Sequence, residues 1–162
     1  MRARLGPDAH LDAAADAVAT AQRQLGEVIE HLRPVGSVDN GELAPTLRRH
    51  VELWSRRAGV PAELLVNADR DLPAEPLLTV ATEALTNVAR HSGARHVRLV
   101  LQAADGQVQL TIADDGHGFD QAVTVPGQGL RGMAERLAQR RGELDVRSGP
   151  DGTTLTASYP EA

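Results

Sequence analysis

Apolar residues at alternating spacings of three and four predict a helix over residues 11–33. Such a heptad seam is typical of helices that pack against other helices in a bundle, and Pro34 ends it. The following stretch, 35–41, has the Gly- and Asp-containing composition of a linker. The seam consists of Leu11, Ala14, Val18, Ala21, Leu25, Val28 and Leu32.

The rest of the chain alternates between helical and strand periodicity. Gly59, followed by Val60-Pro61, ends one predicted helix, and Gly93 ends another. Ala104-Asp105-Gly106 joins two alternating segments in the manner of a hairpin turn. The predicted helices cover 43–58, 74–91 and 129–141, and the predicted strands cover 62–66, 95–103, 107–113, 143–148 and 153–159.

Hairpins joined by single helices predict an α+β fold in which a mixed, mainly antiparallel sheet carries helices stacked on one face, a two-layer α/β sandwich. The length of 162 residues suits one domain with a helical appendage. No apolar run is long enough to span a membrane, and the N-terminus lacks the apolar core of a signal peptide. We therefore expect a cytoplasmic domain.

Composition removes several classes of function. The formal charge of −5 argues against contact with nucleic acid or an anionic membrane. The absence of cysteine excludes disulfide frameworks, zinc–thiolate sites and thiol nucleophiles. All 17 basic residues are arginine, so the lysine that a P-loop or a eukaryotic-type protein kinase requires is missing.

The 74–91 helix carries a polar group beside its apolar stripe. Glu83 and Asn87 lie one turn apart, with Arg90 and His91 one turn further on. Taken alone, this pattern also fits an ordinary solvated helix face. The predicted buried stripe consists of Leu77, Leu78, Ala81, Leu85 and Val88.

Three glycine-containing motifs follow this helix. Asp114-Asp115-Gly116-His117-Gly118 comes after the first hairpin, and Gly127-Gln128-Gly129-Leu130 opens the next helix. Gly152-Thr153-Thr154 begins the last strand. Each motif has an unremarkable interpretation, since glycines make turns and an aspartate such as Asp114 often forms an Asx-turn.

Together, E-x-x-x-N-x-x-R-H, D-x-G-x-G, G-x-G-L-x-x-M and G-T resemble the ATP-binding fold of gyrase-type (Bergerat) ATPases. The closest likeness is to the catalytic domain of bacterial sensor histidine kinases, and EALTNVARHSGA, DDGHGFD and GLRGMAER resemble the nitrate-sensor-like subfamily. The likeness covers about residues 70–160. It implies a catalytic domain over 42–162, while residues 1–34 resemble a remnant of the dimerisation hairpin that contains its second helix.

The resemblance assigns the nucleobase to the strand ends. It implies that Asp114 accepts a hydrogen bond from the adenine amino group and rejects guanine, whose carbonyl would face the carboxylate. Gly116 and Gly118 would let the backbone pass close under the base. Thr153 would bridge Asp114 to adenine, directly or through water. Asp115, His117 and Asp120 are expected to be solvated loop residues.

The resemblance assigns the phosphates to the helices. Asn87 would supply a neutral oxygen to Mg²⁺, and Glu83 would orient or deprotonate the attacking nucleophile. Arg90 and His91 would contact phosphate or close the pocket. Gly127 and Gly129 would precede the helix over 129–141, whose N-terminal amides would seat a phosphate, and Leu130 would also belong to the nucleotide-binding residues. The loop within 113–133 would thus form the floor and lid of an ATP pocket.

The chain departs from the family at the phosphoacceptor. Histidine kinases of this subfamily carry the acceptor in a Leu-His-Asp context, which is missing here. His10, in Asp-Ala-His-Leu-Asp, lies too near the Leu-Arg-Pro end of the 11–33 helix to be that acceptor. We therefore expect a fragment that holds the catalytic domain and needs an acceptor from elsewhere.

The resemblance implies four partners: ATP, the phosphoacceptor helix of the parent kinase, a response regulator with a helix-turn-helix output domain, and a second copy of the chain bound through 11–33. Two other functions stay open on the same fold, a serine kinase of the anti-sigma-factor type and a non-catalytic nucleotide-sensing module. The heptad seam favours the histidine kinase, and the intact Glu83 and Asn87 argue against the non-catalytic module. A gyrase-like ATPase is disfavoured, because it needs a lysine from a following domain.

Overall fold

A computed structural model describes residues 42–119 and 127–161, all within one compact unit. The predicted 11–33 helix, the 35–41 linker, His10 and Asp120 lie outside the described residues. The helices are α1 (Leu43–Ala58), α2 (Leu77–Asn87), which continues into a π-helical turn (Val88–Ser92), and α3 (Gln128–Ala138). The strands are β1 (Ala62–Asn67), β2 (Val97–Ala104), β3 (Gln107–Asp114), β4 (Glu143–Gly149) and β5 (Gly152–Pro160).

The described strands form one five-stranded sheet in the order β1-β2-β3-β5-β4. β1 runs parallel to β2, and every other neighbouring pair is antiparallel. Asp105 and Gly106, with φ of 53° and 72°, turn the chain between β2 and β3, the positive-φ pair that a tight hairpin needs. The predicted mixed, mainly antiparallel sheet is therefore confirmed.

One face of the sheet packs against the helices and forms the core. Alternate residues of β2, β3 and β5 are buried on this face, as the period of two in a strand requires. The predicted two-layer α/β sandwich is confirmed. The largest fully buried side chains are Leu43, Leu47, Leu77, Leu85, Leu99, Leu101, Leu110, Met133, Leu137, Val80, Val97 and Val108.

Helix α2 differs from its prediction at its start and in its stripe. It begins at Leu77, just after Pro76, because proline restricts the residue before it from helical geometry. Leu78, predicted to be buried, is only partly buried, while Val80 and Ala84 join the buried face. Tertiary packing selects a helix face slightly rotated from the one that leucine spacing suggests.

Helix α3 ends earlier than predicted, at Ala138 and not at residue 141. Arg141 adopts φ of 58°, and the Gly142 N–H then donates to the Leu137 carbonyl at 2.8 Å. This is the pattern of a Schellman cap, in which a residue with a left-handed backbone conformation precedes the residue whose N–H makes the last hydrogen bond to the helix. Glycine is needed at 142 for space, because a Cβ there would crowd the Ser158 carbonyl oxygen of β5.

Candidate functional site

The predicted base-binding residues meet where β3 ends and β5 begins. Asp114, the last residue of β3, pairs with Thr153 near the start of β5. The Gly116 N–H donates to Asp114 Oδ1 at 2.9 Å, so the Asx-turn is also present. Partial burial raises the pKa of Asp114, while the N–H groups of Gly116 and Thr153 oppose that rise. The carboxylate is therefore fixed in place and partly dehydrated.

The loop after β3 is fixed to two other segments. The His117 N–H donates to the Ser92 carbonyl at 2.8 Å, and the Gly118 N–H donates to the Gly149 carbonyl at 2.9 Å. A Cβ on Gly116 would overlap the Ser92 carbonyl oxygen, and one on Gly118 would overlap that of Gly149. The glycines were predicted to make room for a base, but the structure shows that close protein packing already requires them.

Asp115 does more than the solvated loop residue predicted from sequence. Its side chain is exposed, yet Oδ1 accepts the N–H of Arg95 at 2.8 Å and that of His96 at 2.9 Å. These two hydrogen bonds hold the pKa of Asp115 below its ordinary value. Asp115 therefore ties the loop to the start of β2. His117 is exposed, as predicted.

Glu83 and α3 lie together. Glu83 is partly buried on α2, and a Cβ on Gly129 would be only 3.2 Å from Glu83 Oε2. The carboxylate thus lies against the first turn of α3. Asn87, also partly buried, is the last α-helical residue before the π-helical turn. Such turns are frequent at functional sites.

Arg90 and His91 lie on the π-helical turn, and both side chains are exposed. The π-helical turn follows Asn87 directly. Its last residue, Ser92, contacts the loop after β3 by accepting the His117 N–H. The structure therefore brings the polar residues of the first motif to one end of the sheet, near Asp114. Neither Arg90 nor His91 is buried.

Gly127 is the N-cap of α3, with an extended backbone (φ −67°, ψ 170°) and no side-chain cap. The helix starts at Gln128 and not at residue 129 as predicted, so Gly129, predicted to precede it, lies inside its first turn with Leu130. The first N–H to bond back along the helix is that of Arg131, to the Gly127 carbonyl at 3.3 Å. The preceding amides have no partner within the helix, the arrangement that favours anions.

Ser148 is a part of the site that sequence reasoning missed. Its Oγ lies 2.7 Å from Thr153 Oγ1 and accepts the Phe119 N–H at 2.8 Å. Ser148 and Thr153 face each other on adjacent strands. The only signal in the sequence is its place at the end of the predicted 143–148 strand, just before a turn whose geometry the sequence does not specify.

The described residues contain no group of three or more His, Cys, Asp or Glu side chains that could hold a metal ion. Mg²⁺ beside a nucleotide takes most of its ligands from phosphates and water, and only one or two oxygens from the protein. Asn87 and Glu83 offer such oxygens on one helix, a turn apart. No helix within 42–119 or 127–161 has the length and apolarity to cross a membrane.

The sheet order and the clustered motifs define a nucleotide-binding domain of the gyrase-type class. Residues 37–159 match the family described as Histidine kinase-like ATPase domain, and the chain belongs to that family. The family prediction is confirmed.

Named relatives agree with this assignment. The chain is similar to the sensor histidine kinase MctS of Rhizobium johnstonii, at 34% identity over 94% of this chain and 34% of that protein. It is also similar to the nitrate/nitrite sensor protein NarX of Escherichia coli, at 34% identity over 69% of this chain and 20% of NarX. The chain thus spans about a third or less of these relatives.

A solved structure shows the same fold. The histidine kinase domain of the blue-light activated histidine kinase from Erythrobacter litoralis superposes with a TM-score of 0.63 at 22% identity. The alignment covers 77% of this chain and 65% of that one. At this identity the likeness supports the fold class predicted from sequence.

Proposed function

We propose that this domain binds Mg·ATP and presents its γ-phosphate to a histidine on a separate helix. The observation that carries the proposal is the placement of Asp114 and Thr153 at one end of the sheet, together with Glu83 against the uncapped N-terminus of α3. Membership of the histidine kinase-like ATPase family supports the same conclusion.

Asp114 is the proposed adenine-recognition residue. The Gly116 N–H holds its carboxylate, and its remaining acceptor capacity suits the adenine amino group. Guanine would place a carbonyl oxygen against the carboxylate, which leaves two acceptors facing each other at a cost of about 1–3 kcal/mol. Thr153 bridges Asp114 to the base, and Gly116 and Gly118 keep the loop beneath it.

The phosphate half of the proposed site lies between α2 and α3. The free amides after Gly127, at Gly129 and Leu130, face the phosphates, where the helix dipole favours negative charge. Arg90 and His91 contact phosphate or close the pocket from the π-helical turn. Mg²⁺, when bound, would neutralise charge on the phosphates, and Asn87 would hold it through its amide oxygen.

In the proposed transfer, Glu83 orients the acceptor imidazole and takes its proton as the nitrogen attacks phosphorus. The bond between the γ-phosphorus and the bridging oxygen breaks, the nitrogen–phosphorus bond forms, and ADP leaves. Most of the catalysis comes from positioning and charge stabilisation, because phosphoryl transfer has a loose transition state. The acceptor would then pass the phosphoryl group to an aspartate of a response regulator with a helix-turn-helix output domain.

The remaining assignments concern the whole protein. We propose that residues 1–34 belong to a dimerisation hairpin, that 35–41 link it to the catalytic domain over 42–162, and that 11–33 mediate a homodimer. We also propose a cytoplasmic location, because ATP and response regulators are found there. Analytical ultracentrifugation of the chain with and without residues 1–34 would test the dimer.

Asp114→Asn is expected to weaken ATP binding at least tenfold, or about 1.4 kcal/mol, because the amide presents a donor where the adenine amino group also donates. Isothermal titration calorimetry measures this effect. Asp145→Asn, an exposed substitution on β4, is the matched control and should bind ATP as the wild type does. Unchanged ATP affinity in a folded Asp114→Asn protein would remove Asp114 from the pocket.

Asn87→Ala is expected to weaken Mg·ATP binding about tenfold while changing metal-free ADP binding about twofold or less, because the side chain acts through the ion. Titrations with excess Mg²⁺ and with a chelator separate the two cases. Asn67→Ala, at the exposed end of β1, serves as the control. Equal losses for both ligands would show that Asn87 supports the fold and does not hold the metal.

A further inference from the structure

We propose that Ser148 is a positioning residue that fixes the direction of the Thr153 hydroxyl and thereby makes it a hydrogen-bond donor to the base. The inference rests on the proposed ATP binding and adds a specificity device to it. Ser148 lies on β4 directly opposite Thr153 on β5, with 2.7 Å between Oγ and Oγ1. Both side chains are partly buried, so their hydroxyls have few alternative partners in water.

The positions of the two oxygens allow either hydroxyl to donate, and a third group favours Ser148 as the donor. The Phe119 N–H can only donate, and it donates to Ser148 Oγ at 2.8 Å. A hydroxyl that accepts a hydrogen bond becomes a stronger donor, because successive bonds polarise one another. On this ground we assign the Ser148 hydroxyl as the donor to Thr153 Oγ1. The Thr153 proton is then free to point away from Ser148.

The freed proton matches the edge of adenine. Asp114, the cross-strand partner of Thr153, is the proposed acceptor for the adenine amino group. The ring nitrogen N1 next to that amino group has no hydrogen and accepts, whereas N1 of guanine and of hypoxanthine carries a hydrogen and donates. A Thr153 hydroxyl held as a donor, directly or through one water, thus favours adenine over guanine and hypoxanthine through a second atom, N1.

The loop that packs against Ser148 cannot accept a side chain at Gly118. A Cβ on Gly118 would overlap Ser148 Oγ, and the Gly118 N–H bonds to the neighbouring Gly149 carbonyl at 2.9 Å. Phe119 therefore reaches Ser148 only because Gly118 lies flat against β4. The glycine motif and Ser148 therefore act together. The Phe119 N–H donates to Ser148, and Ser148 in turn donates to Thr153.

The experiment compares ATP with 1-deaza-ATP, which keeps the amino group but replaces N1 with C–H. Calorimetry on the wild type should show about tenfold tighter binding of ATP. Ser148→Ala should lower ATP affinity about fivefold and leave 1-deaza-ATP affinity within about twofold, so the preference for ATP collapses. Ser148→Thr keeps the hydroxyl and should retain the preference. Ser158→Ala removes a β5 hydroxyl elsewhere and should change neither affinity.

Equal losses for both nucleotides in Ser148→Ala would give Ser148 a purely structural role and overturn the inference, as would an unchanged preference. If Ser148→Ala does not fold, Ser148→Cys replaces it, since a thiol is a weak hydrogen-bond donor of similar shape, and it should lose the preference in the same way. A wild-type chain that binds neither nucleotide would overturn the proposed function itself. A wild type that binds ATP with no Ser148 effect overturns this inference alone.

Discussion

Replacing Gly152 with alanine should lower the free energy of unfolding by about 2–6 kcal/mol, combining left-handed backbone strain with overpacking. Gly152 adopts φ of 127°, a conformation that side chains rarely allow. A Cβ there would also overlap the carbonyl oxygen of Asp114. Gly152 and the Asp114 carbonyl belong to the backbones of the paired strands β5 and β3, so neither can move away without breaking the β3–β5 pairing. Urea unfolding followed by circular dichroism measures the loss.

Gly132→Ala is the matched control for this prediction. Gly132 lies inside α3, and a Cβ there would meet no atom within 4 Å. Alanine is a better helix former than glycine by up to about 1 kcal/mol, so this variant should be as stable as the wild type or more stable. A Gly152→Ala protein that unfolds within about 0.5 kcal/mol of the wild type would contradict the tight approach between the β4–β5 turn and Asp114.

The second large effect concerns catalysis. Incubated alone with γ-labelled ATP, the chain should acquire negligible label, because none of its histidines stands in the Leu-His-Asp context. Adding a dimeric helical hairpin that carries this motif, taken from a relative, should produce base-stable, acid-labile phosphohistidine on the hairpin. Glu83→Gln should slow this transfer about 10²–10⁴-fold, the usual contribution of a general base. Its ATP affinity should stay within about threefold.

Glu52→Gln, on the exposed face of α1, should transfer at the wild-type rate and controls for a lost surface charge. Rapid labelling of His10 in the isolated chain would contradict the interpretation of the acceptor. Acid-stable label on a serine of a partner protein would support the anti-sigma-factor type of kinase. ATP binding without transfer to any acceptor would support a nucleotide-sensing module.

The sequence predicted the fold well wherever local chemistry decides the structure. Gly59 ends α1 with φ of 68°, and Asp105-Gly106 forms the predicted hairpin turn, because few residues tolerate positive φ. The family resemblance placed these motifs around one pocket, and in the structure Glu83 lies against the start of α3 and Asp114 pairs with Thr153. These contacts follow from the order of elements once the sheet topology is known.

The features missed from sequence depend on contacts between distant segments. Ser148 meets Phe119, and Asp115 caps the start of β2, across about twenty to thirty intervening residues with no local signature. The close packing at Gly116 was also missed, because only the folded chain reveals Ser92 behind it. The early end of α3 at Ala138 needed the position of β5 against Gly142. In each case tertiary packing decided, and propensity alone could not.

The partly dehydrated carboxylate of Asp114 affects the stability of the protein without bound nucleotide. Burial raises its pKa, so ionised Asp114 is less favourable in the folded chain than in the unfolded one at neutral pH. On the proposed function, the Asp114 carboxylate that selects adenine also lowers the stability of the nucleotide-free fold, a trade-off common at functional sites. Nucleotide would then act as a folding ligand, adding stability in proportion to the logarithm of its excess over the dissociation constant. The domain would accordingly be more resistant to proteolysis with bound nucleotide than without it.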